Sequence, residues 1–216
     1  MSNSDSFFEE VSDEVRRDRL FGLIRRYGWI AIALVIVLVV AAAIYEWREA
    51  QRQAAAQDLG DAILAANEAG TPEARREALA DLQTEGTPAA VVALLRADDA
   101  ADADTRAAAQ QALDDVAANG AIPAVYRQLA TLKRVMISPD MAPDERIRML
   151  DPLAEAGAPF RLLAGEQIAL AEIEAGDRDA ALDRAQDLLR QDGMTSALQQ
   201  RLQQLIVALG GTLDAA

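Results

Sequence analysis

Apolar residues are distributed along this chain in two distinct ways. From Tyr27 to Tyr45 the run YGWIAIALVIVLVVAAAIY holds no charged residue, with Arg25 and Arg26 on one side and Glu46 and Arg48 on the other. As a helix it spans roughly 28 Å at about 1.5 Å per residue, close to the hydrocarbon thickness of a bilayer. Tyr27 and Trp29 stand at one edge, Tyr45 and Trp47 at the other, where amphipathic rings settle at a membrane–water interface. A transmembrane helix over 27–46 is expected, with the lipid bilayer as its partner and these four rings as interface anchors. Ala41-Ala42-Ala43 has the look of a cleavage site, but the preceding region is long and acidic and the apolar run is longer than a signal peptide's. The segment therefore reads as an uncleaved signal-anchor. Arg16, Arg17, Arg19, Arg25 and Arg26 outnumber Arg48 and Arg52, which places the N-terminus in the cytoplasm and the long C-terminal part outside.

Beyond residue 46 the apolar positions recur at helical spacing, interrupted by Gly, Pro and capping residues. Predicted helices cover 46–69, 72–84, 88–100, 104–118, 122–137, 143–155, 159–175, 178–191 and 195–209. Thr71-Pro72 and Thr87-Pro88 each offer a Thr N-cap before a Pro at the first helical position. The short connections describe antiparallel hairpins. Second helices begin near 72, 104, 143 and 178, a spacing close to the ~34 residues of tetratricopeptide repeats. The best-formed unit runs from Phe160 to Gly193. Leu163, Ile168, Leu170 and Ile173 form the apolar side of its first helix, Gly176-Asp177 the turn with Asp177 as cap, and Ala181 and Ala185 permit close approach of the second helix. Such hairpins bury their apolar faces by stacking. The helix from Thr195 to Leu209 would cap the stack, turning Gln199, Gln200, Arg201, Gln203 and Gln204 to water.

Ahead of the apolar run, residues 1–26 form an arm. Ser6-Phe7-Phe8-Glu9 fits a capping box, and Phe7 (or Phe8), Val11 and Val15 share a helical face. This arm reads either as a cytosolic amphipathic helix that touches a partner or the bilayer surface, or as a short helix running into the span. The fold class is all-α: a single N-terminal transmembrane helix, then an α-solenoid of hairpins over 47–216.

Composition removes much chemistry. The chain of 216 residues has no His and no Cys, Lys+Arg 21 against Asp+Glu 35, and a net charge of -14. Cys or His nucleophile–base pairs, Cys/His zinc sites and disulfides are excluded. The acidic balance argues against a nucleic-acid partner, which needs a concentrated basic face. Asp179, Asp183 and Asp187 lie at i, i+4, i+8, but carboxylates along a straight helix diverge and do not converge on a cation. Asp98, Asp99, Asp102 and Asp104 lack the Gly and ligand spacing of a calcium loop and read as a helix connection. Without His no triad exists, and Lys133 is the only lysine for a Ser–Lys pair. No enzyme, metal or cofactor is expected. Met136, Met141 and Met149 read as gap-fillers in an irregular third repeat, or as an adaptable surface. Tyr126, Arg127, Lys133 and Arg134 share one helix, the most basic and aromatic-bearing of the body, and are the candidate partner-binding residues.

The order of parts carries a resemblance. The arm DSFFEEVSDEVRRDRL, a span beginning RRYGWIAI, the Ala-rich EWREAQRQAAAQ, then EAGDRDAALDRAQDLL and QQRLQQLIVALGG follow one another. In this the chain resembles the bacterial ancillary SecYEG translocon subunit family, and its alphaproteobacterial branch most. The resemblance implies a single-span inner-membrane protein with a periplasmic tetratricopeptide repeat-like domain, partnered by Sec translocon subunits and periplasmic chaperones. It departs from the pattern in the second hairpin, where the acidic 98–104 stretch replaces a Gly-Asp turn, and in the third, with its Pro-rich connection 138–143. The function expected is a non-enzymatic adaptor at the Sec translocon. A scaffold for cell division or cell-wall assembly, and more remotely an envelope hydrolase, are the alternatives.

Overall fold

The computed structural model describes the backbone of residues 4–100 and 102–212, and the side chains of 29, 30, 32–100 and 102–212. Among the described residues every regular element is a helix. The chain divides into two compact units, Met1–Gly60 and Asp61–Ala216.

The first unit is a single helix. Helix α1 runs without a break from Ser4 to Asn67, passing from the arm through the apolar run and on into the second unit. It starts two residues before Ser6, so Ser6 is not its cap; the side chains of the predicted capping box, of the arm's apolar face and of Tyr27 lie outside the described residues. Nothing ends the helix at residue 46, because Ala-rich 50–56 has high helix propensity and no Gly or Pro.

The second unit contains the end of α1 and eight further helices: α2 (Pro72–Ala80), α3 (Thr87–Arg96), α4 (Ala103–Ala118), α5 (Ala124–Met136), α6 (Pro143–Ala154), α7 (Arg161–Ala175), α8 (Arg178–Leu189) and α9 (Ser196–Ala208), with a 3-10 turn at Ala97–Asp99. Local chemistry sets most boundaries. Thr71 accepts a hydrogen bond from the Ala74 N–H at 3.2 Å, and Pro72 occupies the first turn. Asp102 and Thr105 form a reciprocal capping box on α4. Thr195 accepts from the Leu198 N–H at 3.3 Å. Gly176, at φ 94, closes α7, and the Asp177 N–H bonds the Glu172 carbonyl at 2.8 Å.

Three local expectations are corrected. Thr87 is not a cap: it is already helical, and Gly86 takes the cap position at φ 62, a conformation that suits glycine. Asp177 sits at the N-cap of α8 but makes no side-chain capping bond. Helix α2 stops at Ala80, not 84, and the chain is irregular to Gly86.

Contacts are local. Each helix from α2 to α9 packs on its neighbour in sequence, and α5 also reaches back to α3. The buried residues of three cores occupy successive stretches of the chain, while Ile137 and Leu162, packed against the first and the third, fall within the stretch of the second. The first lies between Ala90 and Ala130 and centres on Leu94, Leu113, Val116 and Ile122. The second, between Leu132 and Ile168, holds Val135, Leu150 and Leu153. The third, from Ala185 to Ile206, holds Leu188, Leu198 and Leu202.

Helix α7 corrects the expected apolar face. Its Ile168 is fully buried, but Leu163 and Leu170 are 40% and 37% exposed. The buried positions are small, Ala164, Gly165, Ala169 and Ala171, together with two acids, Glu166 and Glu172. A helix packed on both α6 and α8 sinks its small residues into the contacts, where backbones come closest, and leaves bulkier chains on the open ridge.

Candidate functional site

Two features were singled out by sequence: the apolar run and the basic helix. In α1 the described side chains from Trp29 to Trp47 pack against almost nothing. Trp29 is 67% exposed, Tyr45 70% and Trp47 64%. Between Ile32 and Ile44 every valine, leucine and isoleucine is exposed. Successive residues of a helix point about 100° apart, so the unbroken series Leu34 to Val40 exposes apolar surface in all directions. Among the described residues no helix is long and apolar enough to cross a membrane; Ala31 and everything before Trp29 lie outside the described side chains.

The second feature is α5, whose polar residues point to different neighbours. Tyr126 is half-buried against the first core. Lys133 reaches back toward α3: its Nζ donates to the Leu94 carbonyl at 3.0 Å and to Asp98 at 2.5 Å. Arg134 turns to α4, donating from Nε to Asp114 at 3.1 Å, and also bonds the hydroxyl of Ser138. Ser138, buried at the end of α5, further accepts from the amide of Gln110 on α4 at 2.9 Å. Arg127 is half-buried, and its enclosed Nε has no hydrogen-bond partner among the described residues. The four residues thus do not converge on one open surface, and two of them tie helices together.

These ties belong to a larger series. Asp99, buried in the 3-10 turn, receives the Arg75 guanidinium of α2 on both oxygens, and Arg76 donates to its carbonyl at 2.7 Å. Arg146 of α6 binds Glu174 of α7 with two parallel N–H groups. Glu172 accepts from Arg184 of α8, and Glu166 accepts from Arg201 of α9 at 2.6 and 2.7 Å. With Asp98–Lys133 and Asp114–Arg134, these ion pairs tie α2 and α5 to the 3-10 turn, α4 to α5, α6 to α7, and α7 to both α8 and α9. Fork-shaped guanidinium contacts of this kind fix register as well as charge.

Titration follows the geometry. The hydrogen bonds from Arg146 hold Glu174 below the usual carboxylate range. Asp102 is lowered by the backbone N–H and hydroxyl of Thr105. Arg75, Arg184 and Arg201 are raised by the hydrogen bonds they donate to the carboxylates of Asp99, Glu172 and Glu166.

The acidic groups noted in the sequence take plain roles. Asp98 and Asp99 serve as ion-pair partners and Asp102 as a cap, while Asp179, Asp183 and Asp187 are exposed on α8. Among the described residues no group of three or more His, Cys, Asp or Glu is arranged to hold a metal ion. Met141 and Met149 pack against the second core and Met136 is 57% exposed. A groove of about 380 Å³ lies among α2, α3 and α4, floored by Ala93, Ala109 and Ala112 and rimmed by Glu73, Glu77 and Arg96. Others of about 290 and 370 Å³ flank α7.

The buried acids Glu166 and Glu172 escaped the sequence reading. Their one signal was position: both interrupt the small apolar residues of α7, where a solvated charge does not belong. No family model, no curated protein and no solved structure matches this chain.

Proposed function

We propose that this chain is a single-span membrane adaptor of bacteria, anchored by residues 27–46, with its helical-hairpin body on the periplasmic side of the inner membrane. The observation that carries the reading is the exposed apolar series on α1. Nine large aliphatic side chains between Ile32 and Ile44 are 47–66% exposed. At about 1 kcal/mol for each half-exposed chain, leaving them in water costs on the order of 10 kcal/mol, comparable to the whole stability of a domain. A single protein partner covers one face of a helix; lipid covers all of them. The arginine excess before the run orients the anchor with its N-terminus inside.

The body supports a binding role over a chemical one. Its cores succeed one another and its contacts join neighbours, as in stacked helical repeats, which present long surfaces to other proteins. Tethering beside a membrane complex raises effective concentration, so modest affinities suffice. The partners proposed, Sec translocon subunits and periplasmic chaperones, follow from the family resemblance. In the body, Tyr126 and Arg127 are the members of the proposed contact helix not engaged in ion pairs among the described residues.

The test is made in intact cells. Alkaline carbonate should leave the chain with the membrane fraction, and protease added to spheroplasts should digest the body while sparing the arm. Crosslinking followed by mass spectrometry should recover translocon subunits. Release by carbonate, or a protease-protected body, would overturn the anchor and its orientation. Recovery of division or wall-synthesis proteins without translocon subunits would assign the adaptor to another assembly.

A further inference from the structure

We infer that Asn119 is a site of spontaneous covalent modification, at which the side-chain amide cyclises onto the main chain and hydrolyses to aspartyl and isoaspartyl products. The inference is independent of the proposed function. Asn67 and Asn119 are the asparagines among the described residues, and both follow two alanines at the end of a helix. Their surroundings differ in the group that must act as nucleophile. After Asn67, the Glu68 N–H is held by the carbonyls of Leu64 and Ala65, each at 3.2 Å. After Asn119, the Gly120 N–H carries no hydrogen bond among the described residues. Gly120 is exposed, and apart from its two chain neighbours no described atom lies within 4 Å of where a Cβ would stand, so no other part of the fold crowds its rotation toward the side chain.

The electrophile is also prepared. The Ala121 N–H donates to Asn119 Oδ1 at 3.0 Å. Attack on Cγ places negative charge on that same oxygen, where a preset donor stabilises it. In the step, Gly120 N gives its proton to water or hydroxide and forms a bond to Asn119 Cγ. The tetrahedral intermediate then collapses, the Cγ–Nδ2 bond breaks, and Nδ2 leaves as ammonia, with one proton taken from water. Water opens the resulting succinimide at either carbonyl. Opening at Cγ gives aspartate; opening at the main-chain carbonyl gives isoaspartate. Either product adds a negative charge, and isoaspartate lengthens the backbone by a methylene. The Ile122 N–H bonds the Asn119 carbonyl at 3.0 Å and its side chain is buried in the first core, so the isoaspartyl product loosens the α4–α5 contact.

The full chain in detergent, held at mildly alkaline pH and digested with trypsin, tests this. Peptide 107–127 should convert at Asn119 to two acidic products of equal mass, while peptide 53–75 keeps Asn67 intact. Gly120→Ala should slow the conversion about tenfold, equal to about 1.4 kcal/mol in the barrier. Ala121→Pro, which removes the donor but keeps the Asn–Gly pair, should slow it relative to the wild-type chain while the same two chains match in urea. An Asn119 that persists when folded but converts in urea, or an Asn67 that converts as fast, would overturn the inference. Equal folded rates for wild type and Ala121→Pro would remove the role given to the Ala121 N–H.

Discussion

Gly165 gives the sharpest test of how α7 and α8 pack. A Cβ placed there would stand 2.8 Å from Leu188 Cδ2 and 3.2 Å from Cδ1. Leu188 is 4% exposed and belongs to the third core, so displacing its end disturbs the packing against its core neighbours. Gly165→Ala brings two opposing effects. Helix propensity favours alanine by about 1 kcal/mol in a helix interior. Overpacking a filled core costs about 1–3 kcal/mol. The clash wins here, because the blocking atoms belong to a core leucine, and a net loss of about 1 kcal/mol is expected. In a Leu188→Ala background, which itself costs about 2–5 kcal/mol, the obstruction is gone and the same substitution should stabilise by about 1 kcal/mol. The two measurements differ by about 2 kcal/mol, a coupling well above the scatter of additive pairs. Native-state hydrogen exchange of peptides from α7 and α8, in the regime where it reports opening free energies, reads each value in the full chain. If Gly165→Ala stabilises equally in both backgrounds, Leu188 does not lie over Gly165 and the packing described for these helices is wrong.

Truncating one leucine in each core tests their independence. Leu113→Ala, Leu150→Ala and Leu202→Ala each remove a fully buried side chain and should cost about 2–5 kcal/mol, with lost exchange protection centred on the helices of that core. Protection lost uniformly over α2–α9 would show one cooperative core instead. Acid should act through Glu174: its lowered folded-state pKa means that its bond to Arg146 stabilises above the unfolded carboxylate value of about 4.3 and is lost as pH falls through the folded value. Glu174→Gln should therefore flatten the acid limb of stability below about pH 4, read as urea midpoints against pH, and an unchanged acid limb would remove the pair from the account. Asp99→Asn keeps the shape at the 3-10 turn but sets an amide against Arg75, so α2 should lose exchange protection before α5 does. Equal loss in the two helices would refute the special role of that pair in holding α2.

Helix positions were legible because their boundaries are chemical. Thr71-Pro72, Thr195 and Gly176 act through their own backbone and side-chain groups, and α4 to α9 fall within two residues of expectation at every end. Where a boundary rests on a conformational choice between adjacent residues, the reading slipped. Gly86 and Thr87 can both precede Pro88, and the left-handed turn of Gly86 decided it. The face of α7 was misassigned for a different reason. Ranking residues by hydrophobicity selects Leu163 and Leu170, whereas close helix approach selects small ones, and only the neighbours on both sides make the second criterion prevail.

The contact helix shows why charge content locates an element before it locates a surface. Sequence identifies α5 as basic, since that needs only composition. Direction depends on what lies beside it. Adjacent residues on a helix point about 100° apart, so Lys133 and Arg134 cannot both serve one ligand on a narrow ridge; each meets the acid on its own side, Asp98 or Asp114. Neither acid is a helical neighbour at i±4, and each comes within reach only once α3, α4 and α5 have packed on one another. The same condition governs Glu166 and Glu172, whose arginines are 35 and 12 residues away. An acid amid small apolar residues is costly in a lone helix and acceptable in a packed one, because the desolvation is offset by a guanidinium that another helix delivers, α9 for Glu166 and α8 for Glu172. Replacing such an arginine therefore leaves a buried carboxylate behind, whereas replacing the exposed Arg178 or Arg190 does not.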